Sequence, residues 1–331
     1  MKAYKFAIGL IALSCTSAYA ADGFYGEANV MASWKTGLDQ QTGIATGYAG
    51  YKDGLKIKDI GVDYQLEGYY AASGDRFVNT TESDEFSIRV ASLVFKTDLG
   101  ALYVGKGYSG AYMNLYKRVD IHPFTNTEQY SMNRMLFKQG KYSDNIIAYI
   151  SPWYNSSLGD FQAKVALVNP HCRDHANDDV LVGRLLYKNG KFNAAINLNR
   201  IDENFSGNPN NHTYNRYSVG VDYSFDHITI AYTGEFSKSA FYGVTTEGYD
   251  EQVHTVAVTT TVDDFKYGVS YQLRNSDYEI NDDIGLAIGS ITYAYDKSLD
   301  FMIEYATYTG SNEYLDYAED HSFTVGARFK F

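Results

Sequence analysis

The sequence predicts an all-β fold, a transmembrane β-barrel of sixteen antiparallel strands. Three observations support it: apolar and polar residues alternate along most segments, tight turns alternate with long polar loops, and tyrosines crowd the ends of the predicted strands. The composition agrees, with 32 Tyr and 29 Gly but only 4 Pro. After the N-terminal leader, no stretch reaches the roughly 18 to 20 apolar residues that a spanning helix needs. A helical membrane protein is therefore excluded.

Residues 1–20 have the features of a signal peptide. Two lysines precede the apolar run Phe6–Leu13, and alanines at positions 18 and 20 provide an A-x-A cleavage site. We therefore expect a mature domain of residues 21–331 that leaves the cytoplasm. Cleavage after position 20 is favoured over lipidation at Cys15, because the residues before that cysteine match a lipidation site poorly.

The predicted mature chain is acidic. The leader contains two of the 28 basic residues and none of the 40 acidic ones, so its removal leaves a formal charge of −14. Nucleic acid is not an expected partner for so acidic a surface. One cysteine follows the leader, Cys172, so no internal disulfide can form.

The strands are predicted from a period of two, because successive side chains of a strand point to opposite faces. In the last segment the apolar positions are Phe323, Val325, Ala327, Phe329 and Phe331. The same alternation predicts strands at 23–35, 43–51, 59–72, 85–97, 100–108, 142–151, 160–169, 179–188, 191–203, 214–225, 227–238, 252–263, 265–277, 283–296, 299–310 and 321–331. An even number of strands lets the first pair with the last and leaves no open edge. Within 283–296 the apolar phase changes, which predicts a bulge near Gly289 and Ser290.

The connections predict two different rims. Tight turns include an Asn-Gly pair at 189–190, which is a strong hairpin signal, whereas the stretches at 204–213 and 240–252 are long and polar. Short turns at one rim and long loops at the other are typical of outer-membrane barrels. Tyrosines at strand ends are typical of the two membrane interfaces. A tyrosine-rich soluble sandwich is the alternative, and the export signal and the strand number favour the barrel.

Four segments carry a resemblance to a known family. They are GFYGEANVMASW at 23–34, the hairpin at 89–110, DNIIAYISPWYNSSLGDF at 144–161, and the terminal Phe331. With these segments the chain resembles the general, trimeric porins of the Gram-negative outer membrane. The resemblance implies a water-filled channel for passive diffusion of ions and small hydrophilic solutes, without cofactor or catalysis. It also implies contacts with outer-membrane lipid and lipopolysaccharide, and recognition of Phe331 by the outer-membrane assembly machinery.

The resemblance further implies that the third loop, at about 107–141, folds into the barrel and narrows it. In this family the loop sets carboxylates opposite basic side chains of the wall. The segment VDIHPFTNTE at 119–128 matches the acidic part through Asp120 and Glu128, although the acidic residue often found after the proline is missing.

On the wall, the resemblance assigns a basic position to Arg89, with Lys106 and Lys141 as companions. Glu27 stands where the family often has lysine, and Ala45 lies near a usual arginine. Because the basic row is thinned and the chain is acidic, we expect a mild preference for cations. The loop at 73–85 corresponds to the latch between neighbouring barrels of a homotrimer, with Glu82 as the candidate latch residue.

Three other functions have less support in the sequence. The cluster of His171, Cys172 and His175 contains zinc-type ligands, but three residues on one loop without a second cluster are a weak signal, so no metal is expected. A barrel enzyme is disfavoured, because such enzymes generally have fewer strands and no G-x-S-x-G motif is present. A sugar-preferring pore stays open as an alternative, on the basis of five aromatic residues near the constriction loop: Tyr108, Tyr112, Tyr116, Phe124 and Tyr130.

Overall fold

The computed structural model describes residues 23–35, 41–72, 85–124, 136–137, 141–168, 180–202, 213–240, 249–277, 284–309 and 321–331. Several predicted features lie outside these ranges. They are the signal peptide 1–20, Glu82, Glu128, Tyr130 and the cluster at 171–175.

Strands account for most of the described residues. Their bounds are β1 (Phe24–Lys35), β2 (Gln41–Ile57), β3 (Ile60–Ala72), β4 (Glu85–Thr97), β5 (Gly100–Tyr108), β6 (Tyr142–Ile150), β7 (Tyr154–Ser156), β8 (Gly159–Val168), β9 (Val180–Asn189), β10 (Phe192–Ile201), β11 (Tyr214–Ser224), β12 (Ile228–Ala240), β13 (Tyr249–Val262), β14 (Phe265–Ser276), β15 (Ile284–Ala294), β16 (Leu299–Thr309) and β17 (His321–Lys330). Among the described residues, no helix is long and apolar enough to cross a membrane.

The strands form one closed antiparallel barrel. Each strand pairs with its neighbours in the chain, and β1 pairs with both β2 and β17, with Glu27 opposite Lys330. Strands β6 and β7 both pair with β8 and together occupy one position in the ring. The barrel therefore has sixteen positions, and the predicted sixteen-stranded antiparallel barrel is confirmed.

The sixth strand continues further than the sequence predicts. It was expected to end at 151, but after Pro152 the chain pairs again over β7 and turns at 157–158. Proline has no N–H for the ladder, which explains the interruption. Ser151 spans the gap: its N–H donates to the carbonyl of Ala163 over 2.9 Å, and its Oγ accepts from the N–H of Ala163 over 3.0 Å.

The two faces of the sheet differ as the alternation predicts. On β3, Leu66 is 57% exposed on the outer face, whereas its neighbour Glu67 is 2% exposed on the inner face. Around the ring, exposed Leu, Ile, Val, Phe and Tyr side chains occupy the alternate strand positions that point outwards. A barrel with an apolar exterior and a polar interior is suited to a bilayer.

The predicted bulge near Gly289 and Ser290 is wrong. The ladders of β15 with β14 and with β16 run without a shift in register through this point. Instead Ile284, Leu286 and Ile288 face the interior and are almost fully buried, while the outer face takes over the apolar positions only from Ile291 onwards. The change of phase in the apolar pattern of β15 is therefore caused by an apolar patch on the inner wall. Register shifts lie instead between β1 and β2, β3 and β4, β5 and β6, and β12 and β13.

One rim of the barrel consists of short turns, at 58–59, 98–99, 157–158, 190–191, 225–227, 263–264 and 295–298. Lys58, Gly190 and Asp263 adopt positive φ there, of 54°, 58° and 52°, as tight hairpin turns require. Aromatic pairs lie close to this rim, among them Phe265 and Tyr293 with ring centroids 4.8 Å apart. Such pairs are typical of a membrane interface.

Ring closure is predicted to be sensitive to Gly26. The N–H of Gly26 donates to the Phe331 carbonyl over 2.9 Å, and the Phe331 N–H donates back over 3.1 Å. In Gly26→Ala, the added methyl group would overlap the Phe331 ring and lie 2.7 Å from the Tyr48 carbonyl oxygen. We expect a loss of about 1 to 3 kcal/mol in the free energy of unfolding, measured in urea from detergent micelles.

The matched control is Gly289→Ala. Gly289 also lies on the outer face of a strand, but an added Cβ meets no atom within 4 Å. Equal stability losses in the two variants would contradict the predicted role of the contact with Phe331.

Candidate pore lining

A short segment after β5 lies against the inner face of the barrel. This inner segment, Ser109–Phe124, contains helix α1 (Gly110–Asn114) and a 3₁₀ turn (Tyr116–Arg118). The helix starts at Ser109 because its Oγ accepts a hydrogen bond from the N–H of Tyr112 over 3.1 Å. The segment connects β5 to residues 136–137, which are also buried.

The apolar side of the inner segment is fully buried. Leu115, Tyr116 and Val119 have no exposed surface. They belong to one apolar cluster with Leu136 and with inward residues of β9, β10, β12, β13, β15 and β16, including Ile284, Leu286 and Ile288. The apolar patch of β15 is therefore explained by the surface it contacts. Burial of this cluster supplies the main attraction between segment and wall.

Polar contacts anchor the same segment to successive strands. The Tyr116 hydroxyl bonds Ser218 of β11 over 2.9 Å and also donates to the buried carboxylate of Glu235 on β12. Thr233 donates to the carbonyl of Leu115 over 3.2 Å, and the Arg118 guanidinium forms an ion pair with Asp222.

The later anchors continue around the wall. His122 lies between two serine hydroxyls, with Nδ1 2.8 Å from Ser290 Oγ and Nε2 2.8 Å from Ser270 Oγ. The N–H of Phe124 donates to Glu304 of β16 over 2.8 Å. These anchors lie on strands between β11 and β16. The charged side chains of β1 to β5 therefore lie on a part of the wall to which the inner segment is not anchored.

Burial changes the acid–base behaviour of the inner segment. Desolvation, with a smaller effect of the nearby Lys266 ammonium, lowers the pKa of His122 to about 3. Desolvation and then the Glu235 carboxylate raise the pKa of Tyr116 well above its ordinary value. His122 is therefore neutral at ordinary pH and suited to its two serine partners.

Arg89 lies in a buried cluster of the uncovered wall. Its Nε donates to the carboxylate of Glu67, and the two side chains are 9% and 2% exposed. The guanidinium carbon lies 4.1 Å from the ring centroid of Tyr48 and 5.3 Å from those of Tyr69 and Tyr142. The cation is therefore held in a fixed position by a carboxylate and three aromatic rings.

Glu27 and Lys106 lie near this cluster and are themselves partnered. Glu27 accepts a hydrogen bond from the Asn29 amide over 2.8 Å, and the Tyr48 hydroxyl lies 3.5 Å from its other oxygen. Lys106 forms an ion pair of 2.9 Å with Asp144.

Asp120 and Lys141 were expected on opposite sides of the aperture, but they lie together. Their charged atoms are 3.8 Å apart, and the Tyr112 hydroxyl donates to Asp120 over 2.6 Å. The Asp120 side chain is only 6% exposed. The effect of these residues on ion selectivity stays a prediction, as does that of Glu128, which lies outside the described residues.

Several ion pairs of the inner wall were not predicted from the sequence. They join Arg216 to Glu235, Arg274 to Glu251, and both Arg328 and Lys330 to Asp300, the last over 2.9 Å. All occupy inward positions, so strand parity could have identified them as lumenal. Their pairing depends on register between strands, which parity does not reveal. Within the described ranges, no group of three or more His, Cys, Asp or Glu side chains could hold a metal ion.

Comparison with known proteins decides the family. The model of the family described as Gram-negative porin matches residues 7–330. The chain belongs to the Gram-negative porin family. This membership makes the protein an outer-membrane channel, and it points away from an enzyme.

Solved structures support the fold of this porin. It resembles OmpF of Salmonella typhi in complex with daunomycin, with a TM-score of 0.72, 15% identity and coverage of 93% of this chain and 97% of that one. It also resembles the anion-selective porin of Comamonas acidovorans, with a TM-score of 0.69, 14% identity and coverage of 93% and 98%. A third similar structure is in-vitro folded OmpT of Vibrio cholerae, described as a trimer form. The TM-score is 0.63 and the identity 16%, with coverage of 93% of this chain and 98% of that one. A search of curated proteins found no match.

The contacts of His122 predict a pH dependence. An exposed imidazole titrates near 6.5, so between about pH 6.5 and 3 the unfolded chain binds a proton that the folded porin does not. The stability that His122 contributes therefore falls as pH decreases through this window, by up to about 1.4 kcal/mol per pH unit. Stability should be compared between wild type and His122→Gln by urea unfolding, at neutral pH and near pH 4.5.

The variant should be less stable at neutral pH, since it loses both serine bonds, and the difference should shrink on acidification. His254→Gln is the control, because His254 bonds Tyr232 on the outer face. A difference between wild type and His122→Gln that is constant with pH would contradict the prediction.

Proposed function

We propose that this porin forms a water-filled pore for passive diffusion of ions and small hydrophilic solutes, and that the inner segment narrows it. The observation that carries this proposal is the attachment of Ser109–Phe124 to the inner wall through a buried apolar cluster and polar anchors on five strands, β11, β12, β14, β15 and β16. A segment fixed in this way reduces the cross-section of the lumen without closing it. Passive diffusion through such a pore needs no energy source and no cofactor.

We propose a mild preference for cations. Each of the three basic residues predicted on the wall lies against a carboxylate: Arg89 against Glu67, Lys106 against Asp144 and Lys141 against Asp120. Paired charges largely cancel at distances beyond their separation. The acidic excess of the whole chain then supports a lumen that attracts cations.

The assembly of the porin is part of the proposal. A homotrimer is supported by the trimer form described for Vibrio cholerae OmpT, with Glu82 as the proposed latch. The apolar outer face would contact outer-membrane lipid and lipopolysaccharide. After export with a cleaved signal peptide, Phe331 would serve the assembly machinery as a recognition signal and then close the ring against Gly26.

A sugar-preferring pore is less well supported. Tyr116 and Phe124 are almost fully buried, and Tyr112 is buried with its hydroxyl bound to Asp120. Tyr108 stacks on Tyr112 with ring centroids 5.8 Å apart. These rings pack the segment against its surroundings, which leaves them little surface for a sugar chain. Blockade of single channels by one oligosaccharide at low concentration would favour the sugar-preferring pore instead.

Neutralising the acidic residues of the third loop is predicted to lower the cation preference. The double variant Asp120→Asn, Glu128→Gln removes two negative charges and deprives Lys141 of its carboxylate. The reversal potential in a salt gradient across a planar bilayer should therefore shift towards that of a less cation-selective pore.

The control is Asp226→Asn. Asp226 lies in a turn of the short-turn rim, and its side chain is 86% exposed. This variant should leave the reversal potential nearly unchanged. An unchanged potential in the double variant would refute the role assigned to Asp120 and Glu128.

A further inference from the structure

A cleft of about 410 Å³ separates the inner segment from the wall formed by β8 to β11. We call it the basic cleft. Its charged lining residues are Lys117, Arg118, Lys164, Lys188 and Asp222. Most of its wall residues lie within a few positions of the short turns, so the cleft opens on that side of the inner segment. Its volume is within the range usual for small-molecule sites.

The positive charges of the basic cleft are poorly compensated. Arg118 forms an ion pair with Asp222. Among the described residues, Lys117, Lys164 and Lys188 form no ion pair, so the five charged lining residues leave a net charge of +3. This contrasts with Arg89, Lys106 and Lys141, each of which has a carboxylate partner.

Lys164 is the residue of the basic cleft whose charge is least compensated by its surroundings. It is partly buried, and its ammonium donates to the neutral side-chain oxygen of Asn114 over 3.1 Å. On the neighbouring strand Arg184 stands directly opposite, and its guanidinium donates to Asn197 over 2.8 Å. Like charges opposite each other in a sheet repel, and a partly buried cation without a counter-charge costs free energy. A bound anion would relieve both costs.

The basic cleft also offers an aromatic surface. The Lys188 ammonium lies 4.4 Å from the ring centroid of Trp153, which fixes one cation beside the indole. The half-exposed Met113 adds further apolar lining. Three cations next to an indole suit a ligand that carries a dianionic group at one end and a planar ring at the other.

We propose that the basic cleft binds ring-bearing phosphate monoesters during their passage through the lumen. The phosphate would accept from Lys164, Lys188 and Lys117, and the ring would lie against Trp153. This inference rests on the proposed function for delivery of the ligand, but binding itself requires no ion flow. It gives a cation-preferring pore a local site that retains one class of anion.

Tryptophan fluorescence tests the proposal directly. Trp34 and Trp153 are the two tryptophans of the chain, so Trp34→Phe leaves Trp153 as the reporter. Detergent-solubilised porin should be titrated with 4-nitrophenyl phosphate and, separately, with the neutral 4-nitrophenyl glucoside, which carries the same quenching ring. We expect saturable quenching by the phosphate and only weak, linear quenching by the glucoside. Equal quenching by both compounds would overturn the proposal.

Charge variants in the Trp34→Phe background locate the site. Lys164→Gln should weaken binding of 4-nitrophenyl phosphate about tenfold, as expected for loss of one charge-assisted hydrogen bond. Lys188→Gln changes an exposed residue and tests the same cleft if Lys164→Gln fails to fold. The matched control is Lys96→Gln, because Lys96 lies on β4 and pairs with Asp63.

The outcomes separate the two proposals. Weakening by Lys96→Gln equal to that by Lys164→Gln would show general attraction by the lumen and would overturn the basic cleft as a site. Saturable quenching in detergent together with absent conductance in bilayers would uphold the cleft and refute the proposed pore. Conductance without saturable quenching would support the proposed pore and overturn the basic cleft as a binding site.

Discussion

The hydrogen-bonded ladder between β1 and β17 is the constraint on which the rest of this molecule depends. Lipid offers no partner for an unpaired backbone group, so a membrane-spanning sheet must have no open edge. Once the ladder closes, every strand has an inside and an outside, and the parity of each residue decides whether it meets lipid or lumen. The reciprocal bonds between Gly26 and Phe331 extend this ladder to the last residue of the chain.

Closure creates an inner surface that cannot be uniform. Where the wall faces water, it carries ion pairs such as Lys106 with Asp144. Where it faces the inner segment, it carries Ile284, Leu286 and Ile288, which would be costly to expose to solvent. The division of the wall thus fixes where the segment lies, and the polar anchors of Tyr116 and His122 then fix its register. Apolar contact supplies most of the attraction, whereas hydrogen bonding supplies specificity.

The sequence was sufficient for the number and order of the strands, for most of their bounds and for the closure, because a period of two and the spacing of turn residues are local properties. The second strand was predicted to end at 51 but continues to Ile57. It was insufficient where one segment contacts another. The inward apolar residues of β15 looked like a bulge, since their partner is far away in the chain. The sixth strand was predicted to end at 151, although Ser151 and Ala163 carry the pairing past Pro152. The ion pair of Asp120 with Lys141 was hidden for the same reason: both were recognised as lumenal, but their distance depends on how the inner segment folds back.

The electrostatics of the lumen follow from which charges are paired. At physiological ionic strength the Debye length is about 8 Å, so an ion pair such as Arg89 with Glu67 acts on a solute mainly as a short-range dipole. An ammonium without a carboxylate partner, such as that of Lys164, is not cancelled by an adjacent opposite charge and acts over the whole width of a cleft. Two basic residues of equal formal charge therefore differ in their effect on a passing anion. The field that a solute meets in this porin is consequently set by the positions of the uncompensated charges, and a count of Lys and Arg against Asp and Glu describes only its average.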